Sequence, residues 1–246
     1  MKTEIIYGFH PVFEALQAAR RKFVELYVIG GRTSERLNNA VVLAESRKIP
    51  VKEVQPTHLK DATGTHQHQG IGAKVGLYPL MDIAFIVDKL GDRDQKRFLV
   101  LLDNMLDPQN LGAIIRTALA VGVEGVITPK HRAAPPTPAV SKASAGALEH
   151  VHMARVTNTA ETIKMLKQKG IWIFGMEKAA RQSIFSVDLT GSVAVVIGGE
   201  EKGIRPLVKR QCDCLISIPQ MGPIDSLNAS AAAAVALYEV FRQRTK

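Results

Sequence analysis

Residues 97–246 alternate between short apolar runs and segments in which apolar residues recur at helical spacing. The pattern predicts strands at 98–102, 125–128, 150–156, 171–175, 193–198 and 215–218, and helices at 110–121, 137–147, 159–168, 205–211 and 226–242. Apolar runs without polar alternation are typical of strands buried on both faces, and intervening helices are typical of parallel connections. The pattern therefore predicts a doubly wound α/β domain with a mostly parallel sheet.

A smaller α/β unit precedes this domain. Its apolar spacing predicts helices at 10–20 and 36–47 and strands at 23–29, 49–54 and 70–75. Residues 77–96 contain Pro79, Gly91 and the polar run 92–96, which are typical of a linker, although 81–90 has the pattern of a short helix. We therefore predict domains at 1–76 and 97–246, joined by a linker at 77–96. The first domain has no visible catalytic set, so we expect it to bind substrate.

The charge of the chain favours an anionic partner. Lys and Arg number 32 against 23 Asp and Glu, which gives a formal net charge of +9 over 246 residues. Both predicted domains are basic, as expected of a protein that binds nucleic acid. Candidate RNA contacts in the first domain are Arg20, Arg21, Lys22 and Arg32.

The apolar stretches are far shorter than the roughly 20 residues that cross a bilayer. The N-terminal residues lack the apolar core and small-residue cleavage site of a signal peptide. We therefore expect a cytoplasmic protein with no membrane segment.

Cysteine and histidine do not predict a metal site. Cys212 and Cys214 have no second cysteine pair, whereas a structural zinc site needs about four ligands, so we expect reduced core thiols. His58, His66 and His68 lie in a polar stretch without a carboxylate at matching spacing, which favours a solvated loop that contacts RNA.

The familiar nucleotide and hydrolase motifs are missing. No G-x-G-x-x-G follows a predicted strand, and Ile204 stands where a P-loop would have its lysine after Gly198 and Gly203. A G-x-S-x-G nucleophile elbow is also absent. Classical dinucleotide, P-loop and serine hydrolase chemistry are therefore disfavoured.

Three loops that each follow a predicted strand carry the polar candidates, at the edge of a parallel sheet where ligands usually bind. In 107–118, Asn110 has the properties of an N-cap, and Arg116 follows on the same helix. In 198–206, paired glycines allow close approach to the backbone, and Glu200 points into the same space. In 219–230, Asp225 or Ser226 is a candidate N-cap, and Asn228 has an amide available for a ligand.

Taken in order, these loops resemble the motifs of the SpoU family of S-adenosylmethionine-dependent RNA 2′-O-ribose methyltransferases. Residues 107–118 resemble the first motif (N-x-G-x-x-x-R), 195–205 the second (G-x-E-x-x-G) and 218–231 the third (I-P-M-x-G-x-x-x-S-L-N-x-S). Gln220 and Met221 depart from the order of the third motif. The similarity covers nearly the whole chain, and it is strongest with members that methylate a guanosine in the peptidyl-transferase loop of 23S rRNA.

The resemblance implies a trefoil-knotted parallel-sheet methyltransferase domain after a small α/β RNA-binding domain. It also implies S-adenosylmethionine as cofactor, 23S rRNA as substrate, no metal, and a homodimer with the cofactor site near its interface. The implied catalytic residues are Asn110, Arg116, Glu200, Ser226 and Asn228. The implied cofactor-binding residues are Gly198, Gly199, Glu200, Gly203, Ile218, Pro219, Met221, Ser226, Leu227 and Asn228.

Arg116 matches the family residue that is proposed as the general base. Because a guanidinium is essentially always protonated in proteins, we expect Arg116 instead to position the phosphate and ribose and to stabilise the developing alkoxide. Asn110 is expected to orient Arg116 and the ribose, and Glu200 to hold either Arg116 or the nucleotide. Two alternatives stay open at this point. The acceptor is a 2′-hydroxyl in tRNA, or the chain is a non-catalytic RNA-binding assembly factor, for which its basic charge alone would suffice.

Overall fold

The computed structural model describes residues 2–31, 34–88, 96–223 and 226–245. The chain divides into two compact units, the first formed by Met1–Pro79 and Pro136–His150 and the second by Leu80–Pro135 and Val151–Lys246. Residues 136–150, expected from the sequence in the second domain, pack with the first unit. The expected linker at 77–96 is divided between the units, and its residues 89–95 lie outside the described ones.

The described residues form the following elements. The strands are β1 (Thr3–Tyr7), β2 (Phe23–Ile29), β3 (Val51–Val54), β4 (Ile71–Gly76), β5 (Phe98–Asp103), β6 (Gly125–Pro129), β7 (Met153–Val156), β8 (Trp172–Met176), β9 (Gln182–Ser183), β10 (Val193–Gly198) and β11 (Cys214–Ser217). The helices are α1 (Phe9–Ala18), α2 (Glu35–Ser46), α3 (Pro56–Thr63), α4 (Ile83–Asp88), α5 (Pro108–Ala120), α6 (Pro138–Ala143), α7 (Thr159–Gln168), α8 (Pro206–Lys209) and α9 (Ala229–Arg244).

The first unit is built on a four-stranded sheet within the described residues, in the order β1-β4-β2-β3. Strand β4 runs antiparallel to β1 and β2, and β3 runs parallel to β2. Helices α1 and α2 share one core with the sheet, to which Val12, Leu26 and Ala40 belong. Leu59 of α3 packs in a separate cluster with Tyr27 and Ile29. The predicted helices and strands of this unit are confirmed, but β1 and α3 were not predicted.

The polar stretch of histidines is not a solvated loop throughout. Its first part forms α3, where the His58 ring packs against that of Tyr27 at 5.5 Å between centroids. His68 is buried, and its Nδ1 accepts a hydrogen bond from the backbone N–H of Gly70 at 3.2 Å. His66 is exposed. In the described part of the chain, no group of three or more His, Cys, Asp or Glu residues is arranged to hold a metal ion.

A buried ion pair explains why residues 136–150 belong to the first unit. The Arg21 guanidinium donates to Glu149 at 2.6 Å from Nε and 3.1 Å from Nη2, and it also contacts Glu4. Ser141 of α6 donates a further hydrogen bond to Glu149 at 2.7 Å. Burial alone would lower the pKa of Arg21, but the two carboxylates outweigh it and leave that pKa raised. Arg21 is therefore no surface contact for RNA, contrary to the expectation from sequence, while Lys22 is exposed and Arg32 lies outside the described residues.

The second unit contains a sheet of seven strands among its described residues, in the order β7-β6-β5-β10-β8-β11-β9. Every neighbouring pair in this sheet is parallel. All six residues of β5 are buried, as are the first five of β10, which is typical of central strands in a parallel sheet. The predicted α/β domain with a parallel sheet is confirmed, and its central strands β5 and β10 bring their carboxyl ends to the same edge.

Both cysteines are free thiols in the second unit. Each is only partly buried, so the expectation of core thiols holds for neither in full. Burial raises the pKa of the Cys212 thiol to about 12. A thiol with this pKa is almost fully protonated at neutral pH, and we assign it no nucleophilic role.

No described helix has the length and apolar character needed to cross a bilayer.

We predict that Glu149→Gln destabilises the first unit by about 3–5 kcal/mol, because it leaves the Arg21 guanidinium buried without its main counter-charge. Hydrogen-exchange mass spectrometry of peptides from this unit measures the local free energy of opening. Lys52→Ala is the matched control, since its pair with Glu25 at 3.0 Å has a Lys52 side chain that is 56% exposed and should contribute little to stability. Equal protection in the Glu149→Gln and Lys52→Ala proteins would contradict this account.

Candidate active site

Three loops at the carboxyl edge of the large sheet bring together Asn110, Glu200 and Asn228, which we name the polar triad. The Asn228 amide donates to Asn110 Oδ1 at 3.1 Å and to Glu200 Oε1 at 3.0 Å. The Asn110 amide also donates to Glu200 Oε1. Side chains up to 118 residues apart in sequence therefore meet at one carboxylate oxygen. The sequence selected all three residues.

Helix caps orient the two asparagines, but not as the sequence suggested. Asp107 is the N-cap of α5, and its carboxylate accepts from the N–H groups of Gln109 and Asn110 at 3.0 and 3.2 Å. Asn110 therefore lies inside the first turn, and its side chain is left for the triad. Asn228 is itself the N-cap of α9, with Oδ1 accepting from Ser230 N at 2.9 Å. Its capping oxygen fixes the direction of its amide nitrogen.

An ion pair between Asp103 and Arg205, which we name the clasp, holds the loop that carries Glu200. Asp103 ends β5 and is fully buried. It accepts from Arg205 Nε at 2.9 Å, from Arg205 Nη2 at 2.5 Å and from the Arg205 backbone N–H at 2.9 Å. Arg205 Nη2 also donates to Thr159 Oγ1 at 3.1 Å. The sequence analysis missed Asp103, although an aspartate that ends a wholly apolar strand is a signal for such a role.

The loop glycines serve the backbone itself. A Cβ on Gly198 would lie 2.2 Å from the Gly203 carbonyl carbon, and one on Gly199 would lie 2.1 Å from the Asn104 carbonyl oxygen. Gly199 N donates to Asp103 O at 2.8 Å, which ties the loop to the end of β5. The paired glycines were expected to allow close approach of a ligand. In the structure, the space that a side chain would take at Gly198 and Gly199 is filled by backbone atoms of the chain itself.

Two clefts meet at this loop. The smaller has a volume of about 140 Å³ and lies at the ends of β8, β10 and β11. Of the implied cofactor-binding residues, those that line it are Gly198, Gly199, Glu200, Gly203, Ile218, Ser226 and Leu227. Pro219, Met221 and Asn228 are not in its lining, and the Met221 side chain is fully exposed. The sequence missed the contributions of Met176–Lys178 from the end of β8 and of Ala229 and Ala232 from α9.

The larger cleft has a volume of about 680 Å³. Residues after β5, β6 and β10 line it, among them Asn104, Asn110, Arg132 and Lys202. Gly199 and Glu200 line both clefts, so the Glu200 carboxylate lies where they meet.

Arg116 is exposed on α5 and makes no hydrogen bond or ion pair with any residue in the described ranges. The expected contacts of Arg116 with Asn110 and Glu200 are therefore not formed. Instead, Glu200 receives the two amides of the triad.

We predict that Gly198→Ala destabilises the second unit by about 1–3 kcal/mol, because the new methyl group would overlap backbone atoms that cannot move independently. The fluorescence of Trp172, the single tryptophan, monitors unfolding of this unit in urea. Gly191→Ala is the control, since a Cβ there meets no atom within 4 Å. A Gly198→Ala protein as stable as the Gly191→Ala protein would refute the packing argument.

Comparison with known proteins places these features in one family. A model of the SpoU rRNA methylase family matches residues 97–238, and a model of the RNA 2′-O ribose methyltransferase substrate-binding domain matches residues 5–81. The chain is 41% identical to the 23S rRNA (guanosine-2′-O-)-methyltransferase RlmB of Vibrio cholerae over 244 residues, which are 99% of this chain and 98% of that protein. It is also 41% identical to RlmB of Coxiella burnetii, over 99% of this chain and 97% of that protein.

The fold has solved counterparts. The SpoU methyltransferase AviRb from Streptomyces viridochromogenes, in complex with the cofactor AdoMet, has a TM-score of 0.83 and 27% identity, with coverage of 98% of this chain and 90% of that one. The two family models together match residues 5–81 and 97–238, and both the relatives and the solved structure cover nearly the whole chain. The chain therefore belongs to the SpoU rRNA methylase family.

Proposed function

We propose that this protein transfers the methyl group of S-adenosylmethionine to the ribose 2′-hydroxyl of a guanosine in 23S rRNA. The observation that carries the proposal is the polar triad at the junction of two clefts, because group transfer needs donor and acceptor to meet at one point. The RlmB relatives, which are named for this reaction, support the choice of substrate. The substrate also supports a cytoplasmic location.

The lining of the smaller cleft suits one part of S-adenosylmethionine. Its volume of about 140 Å³ is below the roughly 300–1,000 Å³ of typical ligand sites, so the rest of the cofactor would lie beyond it. Ile216, Ile218 and Leu227 provide apolar walls of the kind that an adenine ring packs against, while Ser217 and Ser226 provide hydroxyl groups. The cofactor would be held by the loops at 198–203, 218–222 and 226–228. When bound, it supplies an activated methyl group, which the 2′-oxygen takes as the carbon–sulfur bond breaks.

Glu200 is proposed to orient the acceptor hydroxyl. Its Oε1 receives both amides of the triad, whereas its Oε2 makes no hydrogen bond to a residue within the described ranges. The free oxygen is thus available to accept a charge-assisted hydrogen bond from the nucleotide. Asn110 and Asn228 fix the plane of the carboxylate, and Ser226 shapes the pocket beside it.

Arg116 is proposed to contact the phosphate and ribose and to stabilise negative charge that develops on the 2′-oxygen. A guanidinium is protonated at any pH at which the protein is folded, so it acts as a fixed cation and hydrogen-bond donor. The hydroxyl proton leaves the 2′-oxygen toward Oε2 of Glu200, which accepts its hydrogen bond. The exposed position of Arg116 leaves its side chain accessible to RNA or to a second subunit.

We also propose a homodimer that uses the exposed faces of α5 and α9. Leu119, Tyr238 and Phe241 are large apolar residues on these two packed helices, and they are 39%, 52% and 39% exposed. Leu119 lies one turn from Arg116 on α5, so the proposed interface adjoins the proposed active site. Light scattering should give about twice the chain mass of 26.8 kDa, and a mass of one chain would contradict the dimer.

We predict that Arg116→Ala lowers the turnover of methyl transfer to 23S rRNA by about 10²-fold or more, the scale on which charge stabilisation in a transition state acts. Transfer of a radiolabelled methyl group measures turnover, and calorimetry measures S-adenosylmethionine affinity, which should stay within about twofold. Arg116→Lys keeps the charge without the planar fork and should recover part of the activity. Arg210→Ala, at an exposed arginine beyond both clefts, is the matched control. Near-wild-type turnover of Arg116→Ala would remove Arg116 from the mechanism.

A further inference from the structure

The larger cleft is a second candidate ligand site, beside the one proposed for the cofactor. It shares Gly199 and Glu200 with the smaller cleft, so a molecule in it reaches the same carboxylate from another direction. Its volume of about 680 Å³ lies within the roughly 300–1,000 Å³ of typical ligand sites. This inference rests on the proposed function, which requires an acceptor nucleotide at the triad.

Three of the six charged residues that line the larger cleft already have partners. Asp107 caps α5, Glu200 receives the triad amides, and Arg205 is held by Asp103 in the clasp. The cations that remain are Arg132 and Lys202, neither of which forms an ion pair with a carboxylate in the described part of the chain. The exposed carboxylate of Glu201 also lines the cleft. The charged side chains that line the cleft balance overall, and Arg132 and Lys202 are the cations among them that remain available to an anionic group within the described residues.

The loop after β6 presents Arg132 from a fixed position. Ala134 N donates to Met105 O at 2.8 Å, which ties this loop to the one that follows β5. Arg155 Nη2 donates to Lys130 O at 2.5 Å at the start of the loop. Arg132 itself has a φ of 61°, a left-handed conformation that non-glycine residues seldom adopt. The guanidinium is exposed, so these contacts hold the backbone and leave the side chain available.

The strand order places Arg132 and Lys202 on opposite sides of β5. Strands β6 and β10 flank β5 on its two sides, and their loops supply Arg132 and Lys202 respectively. The triad lies at the ends of β5 and β10. A nucleotide whose ribose lies at Glu200 can therefore extend its phosphate toward the loop after β6.

We propose that the larger cleft takes the target nucleotide of the RNA and that Arg132 binds a phosphate that flanks its ribose. The planar guanidinium matches a phosphate through two parallel hydrogen bonds, which gives direction as well as charge. Lys202 adds a second, less directional cation from the other side of β5. Arg132 thus helps to hold the ribose of the acceptor nucleotide next to Glu200.

The test compares Arg132→Ala and Arg132→Lys with wild type and with Arg210→Ala. Affinity for protein-free 23S rRNA is measured over a range of salt concentrations, together with the KM and kcat of methyl transfer and the affinity for S-adenosylmethionine. For Arg132→Ala we expect RNA affinity to fall about tenfold and the slope of log affinity against log salt to decrease by about 0.7–0.9, the value of one phosphate contact. The KM for RNA should rise, and cofactor affinity should stay within about twofold. Arg132→Lys should retain the wild-type salt slope with intermediate affinity.

An Arg132→Ala protein with the RNA affinity and salt slope of Arg210→Ala would overturn the proposal. An equal loss of cofactor affinity and RNA affinity would overturn it too, because that result indicates a disturbed loop. The proposed function fails separately, if wild-type protein binds RNA but transfers no methyl group to it. In that case the salt slope of Arg132→Ala still decides whether Arg132 binds phosphate.

Discussion

The clasp between Asp103 and Arg205 is the interaction on which the site depends. A fully buried carboxylate at the end of β5 is costly unless it is paired and hydrogen-bonded, and Arg205 satisfies it with its side chain and its backbone N–H. Gly199 binds the Asp103 carbonyl at the other end of the same loop. The loop between these two anchors carries Glu200. The position of the Glu200 carboxylate is therefore set by a buried charge in the neighbouring strand.

The rest of the site follows from parallel-sheet geometry. Since β5 and β10 are adjacent and parallel, the loops that follow them share one edge, and the cap of α9 brings Asn228 to the same place. One oxygen of Glu200 accepts from two amides, and the other accepts no hydrogen bond from a residue in the described ranges. This division lets a single carboxylate be rigid and still available to a substrate. Rigid placement of the reacting groups is the main contribution that a protein makes to a transfer between two bound molecules.

Much of this was visible in the sequence, for physical reasons. Apolar runs such as 98–102 are buried on both faces, so the pattern of apolar residues along the chain is enough to identify them as strands. Asn110, Glu200 and Asn228 follow such runs, and parallel strands bring them together. Helix caps were assigned to the wrong residues, because Asp107 and Asn110 have nearly equal capping preference and only tertiary contacts decide between them. The exposed position of Arg116 was likewise not predicted.

Long-range pairing explains the remaining differences. Arg21 looks like a surface cation in sequence, and its burial depends on Glu149, 128 residues away. The same ion pair joins residues 136–150 to the first unit, whereas the sequence analysis placed them in the second domain. The local sequence pattern does not show this contact. The contribution of Asp103 was missed because its partner lies 102 residues further on. The trefoil knot implied by the family resemblance stays a prediction.

The most direct test of the central claim is mass-spectrometric mapping of 2′-O-methylation in 23S rRNA from a strain that lacks the gene. The account predicts that one guanosine loses its 2′-O-methyl group, that the wild-type gene restores it, and that a gene encoding Glu200→Gln, which removes the charge at the junction of the clefts, restores little or none. An unchanged methylation pattern in the deletion strain, or full restoration by the Glu200→Gln gene, would contradict it.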